Sequence, residues 1–288
     1  GALDFRPMLA SLRPALTSAD LAICHLETPL APPGGPYSGY PVFSAPPQVV
    51  AALAWAGYDA CSTASNHSVD QGFAGITRTL DALDRHGLAH TGSARTPQEA
   101  ARHVVLDVNG IRVAWLSYTY GTNGMPTDAP TIVNLIDTAL IKADLYEARA
   151  RKPHYIIVVM HWGLEYQLQE NDEQRRLAKF LIRNGADMVI GSHPHVVQPI
   201  RTERVTMPDG TAKEAIVVYS LGNFISNQQQ PYTDGGILFQ VDLLKHKGSP
   251  KVTVGQHGVI PVWRYVHKSA SGKSTFYKLP VARLERNP

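Results

Sequence analysis

The sequence predicts an α/β protein in which a pair of sheets is sandwiched between helices. Three observations predict it. Short apolar runs alternate with amphipathic stretches up to about residue 195, strand-like runs take over beyond it, and several of these runs end in a histidine, a glutamate or an asparagine. A strand–helix half followed by a strand-rich half disfavours an eightfold (β/α) barrel and fits two sheets, with mixed strands supplied by the second half.

The first predicted strand covers 20–27 and is followed by a Pro/Gly/Tyr-rich loop at 31–41, then a helix from about Pro47 to Gly57. A strand at 58–64 leads to a helix from about Gly72 to Gly87. There Ile76, Leu80, Leu83 and Leu88 recur at helical spacing, and Arg85-His86-Gly87 supplies a basic last turn and a glycine stop. Strands at 103–108 and 111–119 are joined through Asn109-Gly110, a hairpin turn pair. A helix near 134–150 precedes a strand at 155–161, and a helix at about 171–184 precedes a strand at 187–192. The strand-like runs beyond His195 are 196–205, 214–221, 236–244, 251–254 and 258–266, with a hairpin turn at 207–211. There is no internal repeat, low-complexity tract or linker, so the chain reads as one domain over residues 1–288.

Hydrophobic residues make up 44 % of the chain and charged residues 18 %, enough for a sizeable core. The net charge is +3 and no Lys/Arg block exceeds a doublet, which excludes the clustered basic patch that nucleic acid requires. No apolar run approaches the roughly 18 residues of a membrane span. Two cysteines, Cys24 and Cys61, are too few for a disulfide scaffold. They are expected as small buried thiols, near the ends of strands that would be neighbours. The sequence opens on Gly1 without a leader pattern, and a segment upstream of it is expected.

The chemistry concentrates at the strand ends. His25 and Glu27 close the first run, Asn66-His67 the second, His161 the most apolar one, His193-Pro194-His195 the strand at 187–192, and Asn223 the run at 214–221. In open α/β sheets such edges hold ligands. Imidazole nitrogens with oxygen donors and no thiolate cluster suit divalent Mn, Zn or Fe. Proline biases its predecessor towards extended geometry, so His193 and His195 are expected on one side of an extended segment. Asn66 offers a neutral carbonyl ligand, and His67 either a general acid or a group that orients substrate. Asp70 either fixes the His67 tautomer or caps the following helix. Glu27, a carboxylate able to bridge two cations, completes a two-metal reading. Trp162 is expected to wall the pocket, Glu165 to support the metal or bind substrate, and His25 and Asn223 to line the substrate side.

These motifs resemble a known family. Asp20-Leu-Ala-Ile-Cys-His-Leu-Glu-Thr-Pro29, Asn66-His-Ser-Val-Asp-Gln-Gly72, His161-Trp-Gly-Leu-Glu-Tyr166, Gly185 to His195 and Tyr219-Ser-Leu-Gly-Asn-Phe224 resemble the CapA-type poly-γ-glutamate capsule biosynthesis proteins, over about residues 20 to 240. That family is similar to calcineurin-like metallophosphoesterases. The resemblance implies a four-layer α/β/β/α sandwich with two divalent metal ions at one sheet edge. It implies Asn66, His161, His193 and His195 as ligands, Glu27 near the bridging carboxylate and His67 as the catalytic histidine. It further implies an extracytoplasmic location, an anionic polymer such as poly-γ-glutamate as partner, and membrane-bound synthesis proteins beside it.

The chain departs from the family pattern in two ways. No strand ending in Gly-Asp precedes Asp20, since Asp4 lacks both strand and glycine, and His25 and Ser192 stand where the family has asparagine and histidine. The expected function is a metal-dependent hydrolase or transferase acting on a phosphoester or a γ-glutamyl amide. The alternative is a non-catalytic polymer-binding accessory protein.

Overall fold

A computed structural model describes residues 3–281 except 128, 247, 250 and 273. Two short helices, α1 (Arg6–Leu9) and α2 (Arg13–Thr17), precede β1 (Ile23–His25), α3 (Gln48–Ala56), β2 (Ala60–Ser62), α4 (Gly72–Arg85), β3 (Ala89–Thr91) and β4 (Ser93–Ala94). Next come α5 (Pro97–Ala100), β5 (Val104–Val108), β6 (Ile111–Thr119), β7 (Ile132–Val133), α6 (Thr138–Ala150), β8 (Tyr155–His161), α7 (Asp172–Arg183) and β9 (Met188–Ser192). The described residues end with β10 (Ile200–Thr206), β11 (Ala212–Val218), β12 (Gly235–Lys245), β13 (Val252–Lys268) and β14 (Ser274–Pro280).

A six-stranded mixed sheet runs in the order β10-β11-β9-β8-β6-β5, with β6, β8, β9 and β11 mutually parallel. Two three-stranded sheets, β1-β2-β3 and β12-β13-β14, face it. Period-two alternation in β8 decides the layering. Ile156, Val158, Met160 and, just beyond the strand, Trp162 pack with Ile141, Leu145, Leu177 and Leu181 of α6 and α7. Tyr155 and Ile157 instead meet β12 and β13, and Val159 meets Ile23 and Ala60 of the small parallel sheet. On its outer side that sheet packs against α1 to α4, and Leu238, Ile260 and Val262 of the C-terminal strands join the same cluster. The result is α/β/β/α.

Local chemistry explains the boundaries. Asn171 accepts from the Gln174 backbone while the Gln174 side chain accepts from Asn171 N–H, a capping box that starts α7 one residue later than the periodicity suggests. Asp137 caps α6 and moves its start from 134 to Thr138. Asn109 and Gly110 take positive φ of 52° and 78°, which closes the β5–β6 hairpin as expected. The predicted strands at 20–27 and 58–64 shrink to three residues each, Ile23–His25 and Ala60–Ser62. The separate runs at 251–254 and 258–266 are one long strand, β13, and β14 beside it lies in a polar segment without an apolar run.

The cysteine expectation is corrected. Cys24 and Cys61 are register partners in the parallel β1–β2 pair, with Cα atoms 4.4 Å apart, and they are joined as a disulfide.

Candidate metal centre

The layer between the two sheets opens at the carboxyl ends of the parallel strands, and the donors gather there. Register does the placing: His25 pairs with Ser62, and His161 pairs with Thr119 on one side and Ser192 on the other. The His161 and His193 ring centroids lie 4.8 Å apart, His25 and His161 5.0 Å, and His193 and His195 5.9 Å. Asn66 Oδ1 is 2.8 Å from His161 Nε2. Glu27 and Glu165 each bring a carboxylate oxygen to 3.9 Å from His195 Nε2. Ligand atoms of Glu165, His193 and His195 all lie within 4.8 Å of one another.

The route by which the two histidines of His193-Pro-His195 converge is not the expected one. Both take positive φ, 97° at His193 and 59° at His195, so the segment is a strained turn rather than an extended one. Left-handed backbone at non-glycine residues costs on the order of 1–3 kcal/mol each and persists where the surroundings over-determine it.

His67 sits beside this cluster. Its Nδ1 is 2.7 Å from Asp70 Oδ2, and the edge of Phe43 packs on its ring with centroids 4.6 Å apart. Asp70 also accepts from the Phe43 backbone N–H at 2.8 Å, so it orients the imidazole, and Gln71 rather than Asp70 stands at the start of α4. Burial works against charge on His67, but the Asp70 hydrogen bond and charge outweigh it and its pKa is raised. This leaves a protonated-competent imidazole whose Nε2 is free of the dyad.

Three expected roles are corrected. Trp162 is 1 % exposed, stacks on Tyr219 and donates its Nε1–H to the Tyr219 carbonyl on the helix side of the sheet; it lies in the core and walls no pocket. Its neighbour His161 faces the opposite way, as strand alternation requires. His25 spends both nitrogens on protein, Nδ1 at 2.9 Å from Ser62 Oγ and Nε2 at 3.0 Å from His161 Nδ1, so it does not present itself to substrate. Asn223 is likewise occupied, facing His195 Nδ1 at 3.0 Å through Oδ1 while its amide donates to Gln228 and Thr233. The two family departures meet at one atom: His161 Nδ1 contacts both His25 Nε2 and, at 3.1 Å, Ser192 Oγ.

Two residues escaped the sequence reading. Tyr120, just past β6, lies 4.6 Å from His193 and parallel to His161 at 6.2 Å, centroid to centroid. Asn123 accepts from Asn66 Nδ2 at 3.3 Å and reaches His67 Nδ1 at 3.5 Å. β6 is a sixth strand aimed at the same edge, but its polar donor comes four residues late, after a turn.

The electrostatics are those of a cation site. Burial first, then the charge of His195, pushes the His25 pKa down to about 4; burial and then His195 and His67 push His193 to about 3. His161 is driven well below the usual range by burial and the surrounding imidazoles. Glu27 is raised by burial, against the pull of His195 and His67. Among the described residues no lysine or arginine bonds to Glu27, Glu165, His161, His193 or His195. The buried Nδ1 of His193 has no hydrogen-bond partner. The orphaned buried nitrogen of His193 and the His195 Nε2 facing two carboxylates, with no lysine or arginine bonded to them among the described residues, fit divalent metal.

One buried cation lies behind the site. The ammonium of Lys278, 1 % exposed, has its pKa lowered to about 8, first by burial and then by Arg264. Below pH 8 the charge is buried in the folded state and its full cost is present. Between 8 and 10.5 the unfolded chain binds the extra proton, so folded stability rises with pH. Relative to Lys278→Met, the parent is expected to gain up to about 3 kcal/mol across that window, read by chemical denaturation.

Residues 1–228 match the family model described as bacterial capsule synthesis protein PGA_cap. The chain is 29 % identical over 246 residues to the capsule biosynthesis protein CapA of Bacillus anthracis, covering 79 % of this chain and 58 % of the relative. It is 30 % identical over 197 residues to the PGA biosynthesis protein CapA of Bacillus subtilis, covering 64 % and 47 %. A probable polyglutamine synthesis accessory protein of Mycobacterium tuberculosis is 29 % identical over 203 residues, covering 65 % and 53 %. The chain thus spans about half the length of the curated relatives it matches. Among solved structures, the NAD nucleotidase of Haemophilus influenzae is similar with TM-score 0.48 and 12 % identity, over 78 % of this chain and 44 % of that one. A calcineurin-like phosphoesterase of Bacillus subtilis gives 0.47 and 17 %, over 75 % and 66 %.

Proposed function

Because this chain belongs to the bacterial capsule synthesis protein PGA_cap family, we propose that it is a metal-dependent hydrolase or transferase of extracellular polymer assembly, acting on an anionic chain such as poly-γ-glutamate. One observation carries the reading. Donors from distant segments converge at one sheet edge where, among the described residues, no lysine or arginine bonds to them and a buried imidazole nitrogen lacks a partner.

Asn66, His161, His193, His195, Glu27 and Glu165 would hold two divalent ions of the Mn, Zn or Fe kind. Bound there, the ions supply Lewis-acid polarisation of the scissile group and charge for an anionic substrate. The remaining work falls to protein groups. His67, oriented by Asp70 and with its proton affinity raised, delivers a proton to the leaving atom. Asn123 and Tyr120 border the same opening and orient the scissile group. The Cys24–Cys61 disulfide supports an extracytoplasmic location, since such bonds persist in oxidising compartments. Membrane-bound synthesis proteins are the partners this reading implies.

The test is turnover by metal-loaded protein on γ-linked glutamate oligomers and on a generic phosphoester. His67→Gln is expected to lower turnover by about 10²–10⁴ with metal content unchanged. Full metal occupancy with no turnover on either substrate class would favour the second reading, a polymer-binding accessory role, to which the name of the mycobacterial relative points.

A further inference from the structure

We propose that Lys278 and Arg264, on the two C-terminal strands, are positioning residues that fix the tautomer and aim of His195 through Asn223. Both lie beyond residue 228, where the family match ends.

The inference starts from an amide. Asn223 Nδ2 lies 2.9 Å from the Thr233 carbonyl oxygen, which can only accept, so the orientation of the Asn223 side chain is settled. Its Oδ1 therefore faces His195 Nδ1 at 3.0 Å and can only accept in turn. In the neutral imidazole the proton is on Nδ1, and the lone pair is on Nε2, the atom facing Glu27 and Glu165 at 3.9 Å each. The tautomer required of an Nε2 ligand is thus set by Asn223.

What holds Asn223 comes from the C-terminal sheet. Lys278 Nζ donates to the Asn223 backbone carbonyl at 2.9 Å in a buried setting. Arg264 donates to the Ser226 and Gln228 carbonyls at 3.1 Å each, and Gln228 Oε1 accepts from Asn223 Nδ2 at 2.9 Å. Two donor-only side chains therefore clamp both flanks of the amide. A buried ammonium without a carboxylate partner works against folding, and among the described residues Lys278 Nζ meets the Asn223 carbonyl and, at 5.8 Å, the Phe224 ring rather than a carboxylate. Retaining it makes sense as support for the site rather than for stability.

The test uses Lys278→Met, which keeps the apolar stem and removes the donor, and Arg264→Gln at a half-buried position. In metal-free protein at a pH above the histidine range, ¹⁵N-imidazole NMR reads the His195 tautomer, assigned by loss of its signals in His195→Gln. The parent is expected to give one Nδ1–H tautomer and both variants a mixture. Divalent-ion affinity, titrated with Mn, is expected to fall about 10–100-fold, while the Lys278→Met melting temperature at neutral pH stays level or rises. If Lys278→Met does not fold, Arg264→Gln carries the same readings. An unchanged His195 tautomer in the folded variants overturns the proposal whatever the metal does. The affinity reading rests on the proposed function; the tautomer reading does not. A parent that takes up no metal but loses its single tautomer on substitution would sink the metal reading and leave this inference standing.

Discussion

Replacing His193 and His195 together by alanine is expected to reduce divalent-metal affinity by more than about 100-fold, because loss of supporting residues alone costs 10–100-fold and here the ligands themselves go. The readout is elemental analysis after dialysis, with calorimetric titration of Mn into metal-free protein. Stability should move in the opposite direction from binding. His193 carries a buried Nδ1 with no partner, and both residues hold left-handed backbone. Glycine at the two positions should relieve about 1 kcal/mol each in metal-free protein, since it meets no penalty at positive φ. Alanine keeps the backbone cost; at 193 it removes the orphaned nitrogen, whereas at 195 it leaves Asn223 Oδ1 without its donor, so the gain in stability is confined to position 193. A protein that becomes more stable without metal while losing its metal is one in which strain and burial serve the site. Metal uptake by the double alanine variant equal to the parent's would end the two-metal reading.

The meeting of His161 with His193, and of His195 with Glu27, was legible because parallel strands must end at one edge and their terminal residues are visible as breaks in apolar runs. Roles depending on which face a side chain takes were harder to read. Trp162 follows His161 at the end of a strand of period two, so with His161 facing the cleft Trp162 faces the helices, an alternation that is present in the sequence. His25 and Asn223 sit where expected, yet their atoms are spent on His161 and His195, which only three-dimensional packing reveals. The geometry of His193-Pro-His195 inverted the local expectation, because a tertiary constraint outweighed the proline bias towards extended backbone. The disulfide needed the β1–β2 register, which aligns residues 24 and 61 and cannot be read from their separation of 37. β14 offered no apolar run, although Lys278 within it reaches the site.

Gly191→Ala is expected to destabilise the fold by about 3 kcal/mol or more, the upper end of what overpacking costs. Gly191 lies in β9 where the Trp162 indole crosses to donate to the Tyr219 carbonyl at 3.0 Å. A methyl group there would stand 2.0 Å from that carbonyl oxygen, 2.6 Å from its carbon and 2.5 Å from Trp162 Nε1. Two of these three atoms are backbone and cannot rotate away, and the Gly191 carbonyl is itself tied to Leu221 N–H at 3.0 Å. Relief therefore requires the strand end to separate from the segment after β11. That separation would carry Ser192 and His193 away from His161 on one side and Asn223 away from His195 on the other. Destabilisation and loss of metal affinity should consequently appear together, unlike the Lys278→Met case, where only the second is expected. Adding Trp162→Phe should recover little, since the carbonyl clash remains and the Tyr219 oxygen loses its donor. An unfolding free energy from urea denaturation within about 1 kcal/mol of the parent's would contradict this account of the strand end. It would mean that the crossing of Trp162 over Gly191 does not fix the distance between the imidazole-bearing segments.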